Sequence, residues 1–316
     1  MNKRKIDASI YSEYKVDPNE DLWAVLSLEV MNAAVTAELM AFHYSTKTPQ
    51  PGSRAEALVA EEPFYSAEGL GPINVQEALR NVALIVMSGN DHLMAIGRIL
   101  DPRPMFGPSV GTTTRGAVEA YAKAHYLMDA PDTKTFMAKY LASRRSSLKW
   151  PARTKKDSNK EPIHTPGSRA AQNMIDRVNA AAAAWGIAVG DISPQGFADT
   201  VEQLLEEFLD EEQPEELHTL YADLSAVAHA ELSGLRFFMS RPRNYDDTGI
   251  GQVFVGPQPP YVNHMIQVAL RAQMVVMFEF IELHSIPAED QEDWIDAVQK
   301  VIFWTDHIGA KSLDGA

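Results

Sequence analysis

Four polar side chains, carried by two segments far apart in the chain, could perform chemistry together: Arg115, Glu119, Ser225 and His229. Arginine binds anions through a fixed fork of N–H donors, and histidine exchanges protons near neutral pH. A glutamate beside an imidazole can orient it for proton transfer. Because these residue types together suit the binding or cleavage of a phosphodiester, we treat the four as candidate catalytic residues.

Two predicted helices must bring these residues together. The first runs from Thr114 to Asp129, and its apolar face consists of Val118, Tyr121, His125 and Met128. The second runs from Pro214 to Ser240; its apolar stripe includes Tyr221, and one shoulder of that stripe reads His218, Ala222, Ser225, His229 and Arg236. We expect the two helices to pack so that Arg115 and Glu119 face Ser225 and His229.

A simpler interpretation of the same residues stays open. Arg115 and Glu119 are four residues apart, so they could pair with each other on a solvated surface and contribute little to stability. His229 could be a half-buried histidine that is hydrogen-bonded to a neighbouring carbonyl. Glu231 falls within the apolar stripe of its predicted helix, where a carboxylate needs a cationic partner or a raised pKa. On this interpretation the polar residues only fix the register of the helices.

The spacing of possible ligands gives little support to metal chemistry. The chain has no cysteine, which excludes thiolate metal sites, disulfides and thiol nucleophiles. Di-iron carboxylate bundles need two Glu-x-x-His pairs, and only Glu215 and His218 have that spacing. We therefore predict no cofactor and keep a dinuclear oxidase as a minority hypothesis, with possible ligands Glu38, Glu119, Glu215, His218, Glu231 and His229.

Composition and charge limit the classes of partner. Of 316 residues, 45% are hydrophobic, which is ample for a buried core. The net charge of −15 repels a phosphate backbone, so RNA stays open as a partner but is disfavoured. The N-terminus lacks the apolar core of a secretory signal, and charged residues interrupt the most apolar stretch, 265–283. We expect a cytoplasmic homo-oligomer that makes no membrane contact.

Helix-forming patterns fill the chain and predict an all-α fold: one irregular helical-bundle domain, 1–316, with about nine helices. The predicted helices are 17–42, 74–100, 114–129, 132–150, 170–185, 194–210, 214–240, 261–284 and 289–308. Residues 151–168 are basic, polar and rich in proline, which predicts an exposed loop. The segment 251–255 is the single plausible strand, so we expect at most one short β-hairpin, near residues 250–256.

Three runs of the sequence resemble a group of uncharacterised all-helical proteins of actinobacteria. These runs are Asp91-His92-Leu93, Arg115-x-x-x-Glu119 with a downstream aromatic residue, and Tyr221-x-x-Leu-Ser-x-x-x-His229. The resemblance covers about the middle two-thirds of the chain and implies a helical fold without an established activity. More distantly, the Leu-Ser-x-x-x-His helix is similar to the HEPN superfamily, whose active members are ribonucleases of toxin and phage-defence systems.

Active HEPN proteins carry an arginine that is shortly followed by a histidine, and this sequence has no such pair. The resemblance therefore implies either an inert, HEPN-like interaction protein or one that reassembles the pair from Arg115 and His229. Three hypotheses follow. The bundle binds or cleaves a phosphodiester at these residues, with help from His92 and His125; it acts without catalysis through homo-oligomer or partner contacts; or it is the dinuclear oxidase.

Overall fold

A computed structural model of the chain describes residues 22–63, 73–100, 107–149, 151–152, 155–156, 162–163, 165–188, 196–208, 214–235, 238 and 259–314. Within these residues the architecture is an all-α bundle, as the sequence predicts. The helices are α1 (Leu22–Thr46), α2 (Arg54–Ala60), α3 (Val75–Leu100), α4 (Gly107–Met128), α5 (Thr133–Lys149), α6 (Pro166–Ala184), α7 (Phe197–Glu206), α8 (Pro214–Ala228), α9 (Leu232–Leu235), α10 (Pro259–His284) and α11 (Glu292–Asp314). A 3₁₀ turn, Ala288–Asp290, precedes α11.

The described residues thus form eleven α-helices where the sequence analysis expects about nine. One addition is the short α2, which is capped by Ser53: its hydroxyl accepts from the Glu56 N–H at 3.1 Å, and the Glu56 carboxylate accepts from the Gly52 N–H at 2.6 Å. The other arises because the helix expected over 214–240 stops at Ala228 and resumes as α9. That interruption places Glu231 at an exposed turn, so it does not lie in an apolar stripe.

The β structure differs from the expectation as well. Strand β1 (Lys155–Lys156) pairs antiparallel with β2 (Pro162–Ile163), within the segment that was expected to be an exposed loop. Each strand has two residues, so the pair is a local turn feature on an otherwise helical molecule. The hairpin expected near 250–256 lies outside the described residues.

Helix α4 occupies the middle of the bundle and contacts α3, α10, α7 and α8. Its apolar face is buried as the periodicity predicts, with Val118, Tyr121, His125 and Met128 all nearly inaccessible to solvent. The first and last parts of the chain complete the core, because α1 packs on α3 and α11 packs on α1. Any site on α4 therefore rests on a well-packed support.

Helix α1 is long and apolar, although the sequence predicts no membrane-spanning segment. By length and composition alone, Leu22–Thr46 is able to cross a membrane, and it is the one such helix among the described residues. In the bundle, 44% of its apolar window is buried against the rest of the chain. A core helix of a soluble protein has the same composition, so this feature is weak support for a membrane role.

Candidate functional site

A glycine on α4 allows α8 to come close to the candidate residues. A side chain added at Gly111 would place its Cβ 2.8 Å from Cγ1 of Val227, which is too close for any residue larger than glycine without movement. Arg115 lies one helical turn after Gly111, and His229 lies two residues after Val227. The close approach of the two helices therefore sets Arg115 beside His229.

His229 lies exposed directly after the last residue of α8. The His229 N–H donates to the Ser225 carbonyl at 3.0 Å, and the Glu231 N–H donates to the Ala226 carbonyl at 2.8 Å. Between them Ala230 adopts a left-handed conformation, with φ of 55°, which closes the helix end in the manner of a Schellman motif. The chain turns away after His229, so its imidazole stays exposed.

Arg115 joins the two helices through its guanidinium. Its Nε donates to Glu119 Oε1 at 2.7 Å, and its Nη1 lies 3.2 Å from Nε2 of His229. A guanidinium has no acceptor, so a hydrogen bond between these two atoms requires Nε2 of the imidazole to be the acceptor. The side chains of Arg115 and Glu119 are 21% and 24% exposed, which leaves the group accessible from solvent.

Tyr221, which the sequence analysis assigned to the apolar stripe of its helix, is the fourth member of this group. Its hydroxyl donates to Glu119 Oε1 at 2.9 Å, and its ring lies 5.7 Å from the Arg115 guanidinium carbon. The signal in the sequence was a tyrosine at the edge of the stripe, since a half-buried phenol needs a hydrogen-bond partner. We call Arg115, Glu119, Tyr221 and His229 the Arg115 cluster.

The charges and hydrogen-bonding groups of the Arg115 cluster complement one another. Burial alone would lower the pKa of Arg115, but the hydrogen bond and charge of Glu119, together with Tyr221, outweigh burial and raise it. Burial and then Glu119 raise the pKa of Tyr221, so its hydroxyl keeps its proton and remains a donor. Glu119 Oε1 accordingly accepts two hydrogen bonds, from a permanent cation and from a neutral phenol.

Three residues proposed alongside this group occupy other positions. Ser225 is half-buried one turn before His229, and within the described part of the chain its hydroxyl makes no hydrogen bond to the cluster. His92 packs on the backbone of Gly116, where an added Cβ would lie 2.7 Å from the ring. His125 lies on the other side of α4, where its Nδ1 donates to Glu279 Oε1 of α10 at 2.7 Å. The structure thus brings together Arg115, Glu119 and His229 but not Ser225 or His125.

A groove of about 320 Å³ opens between α3 and α4, next to the cluster. Glu119 forms part of its wall, as do His92, Gly116 and Lys123. Arg115, Glu119 and Lys123 follow one another at intervals of four residues on one face of α4, so a cation lies on either side of the carboxylate. Burial and then the charge of Arg144 lower the pKa of Lys123. An anionic ligand in this groove would meet Lys123, whereas Arg115 lies next to the groove and not in its lining.

Metal ligation has no geometric support among the described residues, where no three His, Asp or Glu side chains come close enough to share an ion. Of the possible ligands, Glu231 is exposed at the turn after α8. Glu38 lies on α1, where burial and then the charge of Asp91 raise its pKa. The side chains of Glu215 and His218 lie outside the described residues.

The Arg115 cluster is suited to bind an oxyanion, and the imidazole of His229 lies next to the guanidinium that would bind it. Nε and Nη1 of the guanidinium contact Glu119 and His229, and the group carries five N–H donors in all. No protein-family model matches the chain, and neither the search of curated proteins nor that of solved structures finds a match. Function is therefore inferred from the cluster itself.

Proposed function

We propose that this protein is a HEPN-like interaction bundle, without catalysis, that binds an anionic group through Arg115 and His229. The observation that supports this most directly is the 3.2 Å contact between Arg115 Nη1 and His229 Nε2, formed by helices that are distant in sequence. A guanidinium held beside an exposed imidazole is a ready-made receptor for phosphate or carboxylate oxygens.

Local charge supports the proposal although the whole chain is acidic. The net charge of −15 disfavours an extended polyanion, whereas a single anionic group responds mainly to charges within about one Debye length, ~8 Å at physiological salt. At the cluster, Arg115 and Lys123 flank one carboxylate. The site therefore favours a small or terminal anion over a long nucleic-acid strand.

Phosphate titration tests the proposal, with inorganic phosphate as the probe. The Cε1–H signal of His229, assigned by its loss in His229→Ala, should shift in NMR spectra with a saturable dependence on phosphate. Arg115→Gln should abolish that saturation. Glu119→Gln should tighten phosphate binding severalfold, because it removes the one negative charge of the cluster while keeping an amide that can bond to Tyr221.

The same titration separates this function from a purely structural role for the cluster. If the four side chains only fix the packing of α8 on α4, Glu119→Gln lowers thermal stability and the phosphate dependence is the same in wild type and Arg115→Gln. A linear, unsaturable shift in the wild type would also contradict the proposal.

A second candidate function is a ribonuclease with a rearranged site. The observation that favours it is again specific: arginine and histidine, the pair used by the active HEPN nucleases, lie in contact although no closely spaced pair exists in the sequence. Catalysis would require His229 Nε2 to leave Arg115 and accept the proton of a ribose hydroxyl. Incubation of the purified protein with labelled single-stranded RNA should then give cleavage that His229→Ala abolishes, and intact RNA would eliminate this candidate.

A further inference from the structure

Exposed apolar side chains gather around a second groove, remote in sequence from the Arg115 cluster. Leu39 and Phe42 on α1 are 62% and 55% exposed, and Phe278 on α10 is 50% exposed. Leu39 and Phe42 form the wall of a groove of about 370 Å³ whose base includes Trp294, and the ring of Phe278 packs edge-on against Trp294 at 5.3 Å. Apolar patches of this kind on a soluble protein mark interaction sites.

The walls of this groove are already fixed in place. The Tyr44 hydroxyl, at the end of α1, donates a hydrogen bond to the Asp290 carboxylate in the 3₁₀ turn. Trp294 is almost fully buried in the first part of α11 and packs into the core of the bundle. The surface that a partner would contact is therefore preformed, so little binding free energy would be spent on rearranging the groove.

Charges around the groove select the partner. Asp290 and Asp293 line it, and Glu289 and Glu292 are exposed beside them in the sequence. The basic groups at the groove are His43, which also lines it, and Lys47, whose Nζ lies 5.0 Å from the centre of the Tyr44 ring. The chain thus already places one ammonium group on an aromatic wall of the groove, and the remaining rim is acidic.

We propose that the groove at Leu39, Phe42, Trp294 and Asp293 docks a basic, amphipathic segment of a partner protein. Apolar side chains of that segment cover Leu39, Phe42 and Phe278, while its lysine and arginine residues face Asp290 and Asp293. A second copy of the chain is a poorer occupant. In a two-fold dimer the same patch faces itself, which would bring two acidic rims together.

A designed peptide provides the test. The first peptide is a labelled helix of about 14 residues, with leucine at i, i+3, i+4 and i+7 and lysine at the other positions. The second has glutamate in place of lysine. Fluorescence anisotropy measures the binding of each peptide to the protein. The lysine peptide should bind saturably and the glutamate peptide should not. Combining Leu39→Ser with Phe42→Ser should weaken binding about tenfold or more, and Asp293→Asn should weaken it severalfold, with less effect at high salt.

The matched control is Leu28→Ser on the same helix. Leu28 is 53% exposed, much like Phe42, but it lies about 21 Å nearer the start of α1 than Phe42 does. This variant should bind the lysine peptide like the wild type, and circular dichroism should show that all variants remain folded. Three results would overturn the proposal: equal loss of binding in Leu28→Ser, equal binding of both peptides, or light scattering that shows a wild-type dimer which Leu39→Ser and Phe42→Ser together dissociate.

Discussion

The two halves of helix α4 place ionisable side chains in opposite environments. Around its middle, Arg115 and Glu119 pair with about a fifth of each side chain exposed, next to the half-buried Tyr221 of α8 and the exposed His229 that follows α8. Near its end, His125 is buried against α10 and pairs with Glu279. The buried group is needed for packing, because an unsatisfied polar atom in the core is costly. The open group is not under that requirement, and it is the group for which we propose a binding role.

Between the two halves lies a hydrogen-bond network that is closed to solvent. Asn90 Oδ1 on α3 accepts from the Tyr121 hydroxyl at 2.7 Å and from Gln273 Nε2 of α10 at 2.8 Å. Gln273 Nε2 also lies 3.2 Å from the Ala33 carbonyl of α1. The Asn90 oxygen thus links α3, α4 and α10, and the Gln273 amide adds α1, so a substitution here should disturb the packing of all four helices.

The largest effect should come from Asn90→Ala. This substitution removes the acceptor of two buried donors, the Tyr121 hydroxyl and Gln273 Nε2. Each unsatisfied donor costs about 1–3 kcal/mol, so we expect the free energy of unfolding to fall by on the order of 3 kcal/mol. Urea denaturation measures this loss. Tyr121→Phe is the control: it removes one donor and leaves Gln273 bonded to Asn90, so it should cost only about 1 kcal/mol. Equal losses in the two variants would show that the network does not act through Asn90.

A pair of identical substitutions compares the buried and open sides directly. A Cβ at Gly89 would lie 2.4 Å from Cε1 of the buried Tyr121, so Gly89→Ala should cost about 1–3 kcal/mol through overpacking. A Cβ at Gly116 would meet the ring of His92, which is half-buried and borders the open α3–α4 groove. That ring can move aside, and alanine favours a helix by up to about 1 kcal/mol, so Gly116→Ala should be near neutral. Thermal melts of the two variants distinguish these outcomes, and similar melting shifts would contradict the contrast between the two sides.

The smallest effect, and the one that depends on pH, concerns His125. Burial alone lowers the pKa of His125, but the hydrogen bond and charge of Glu279, followed by Asp129 and Glu207, outweigh it and raise the pKa above 6.5. The folded state therefore holds the proton more tightly than the unfolded chain does. The resulting stabilisation is fully present below the unfolded pKa of about 6.5 and is lost as pH rises through the higher folded value.

Glu279→Gln isolates this contribution. The amide still accepts a hydrogen bond from Nδ1, so only the charge is lost, and we expect a cost of about 1 kcal/mol near pH 6. Urea denaturation should show the difference from the wild type shrinking by pH 9. If the difference in the free energy of unfolding between the two proteins stays constant or grows from pH 6 to pH 9, His125 is neutral in the folded protein at both pH values.

The sequence predicted the helical class of the fold and the buried face of α4, because a repeat of apolar residues every three to four positions identifies both. It also predicted that Arg115 and Glu119 lie beside His229, and the contacts of Arg115 confirm that proximity, whereas the catalytic role of these residues stays a prediction. Tyr221 was assigned to the apolar stripe, since periodicity cannot distinguish a ring that packs from a ring whose hydroxyl also bonds. The end of α8 was placed too late because no glycine or proline stands at 229–231, where Ala230 takes a conformation that alanine rarely adopts.

What the sequence determined by itself is local: which segments are helical, which face of each is apolar, and that any metal or redox chemistry must do without cysteine. What the tertiary structure decided is which faces meet. Gly111 permits α8 to approach α4, and this approach, across more than a hundred residues of chain, puts Nη1 of Arg115 beside Nε2 of His229. Helix periodicity follows from neighbouring residues, whereas helix pairing depends on the fit of whole surfaces, which only the folded chain brings into contact.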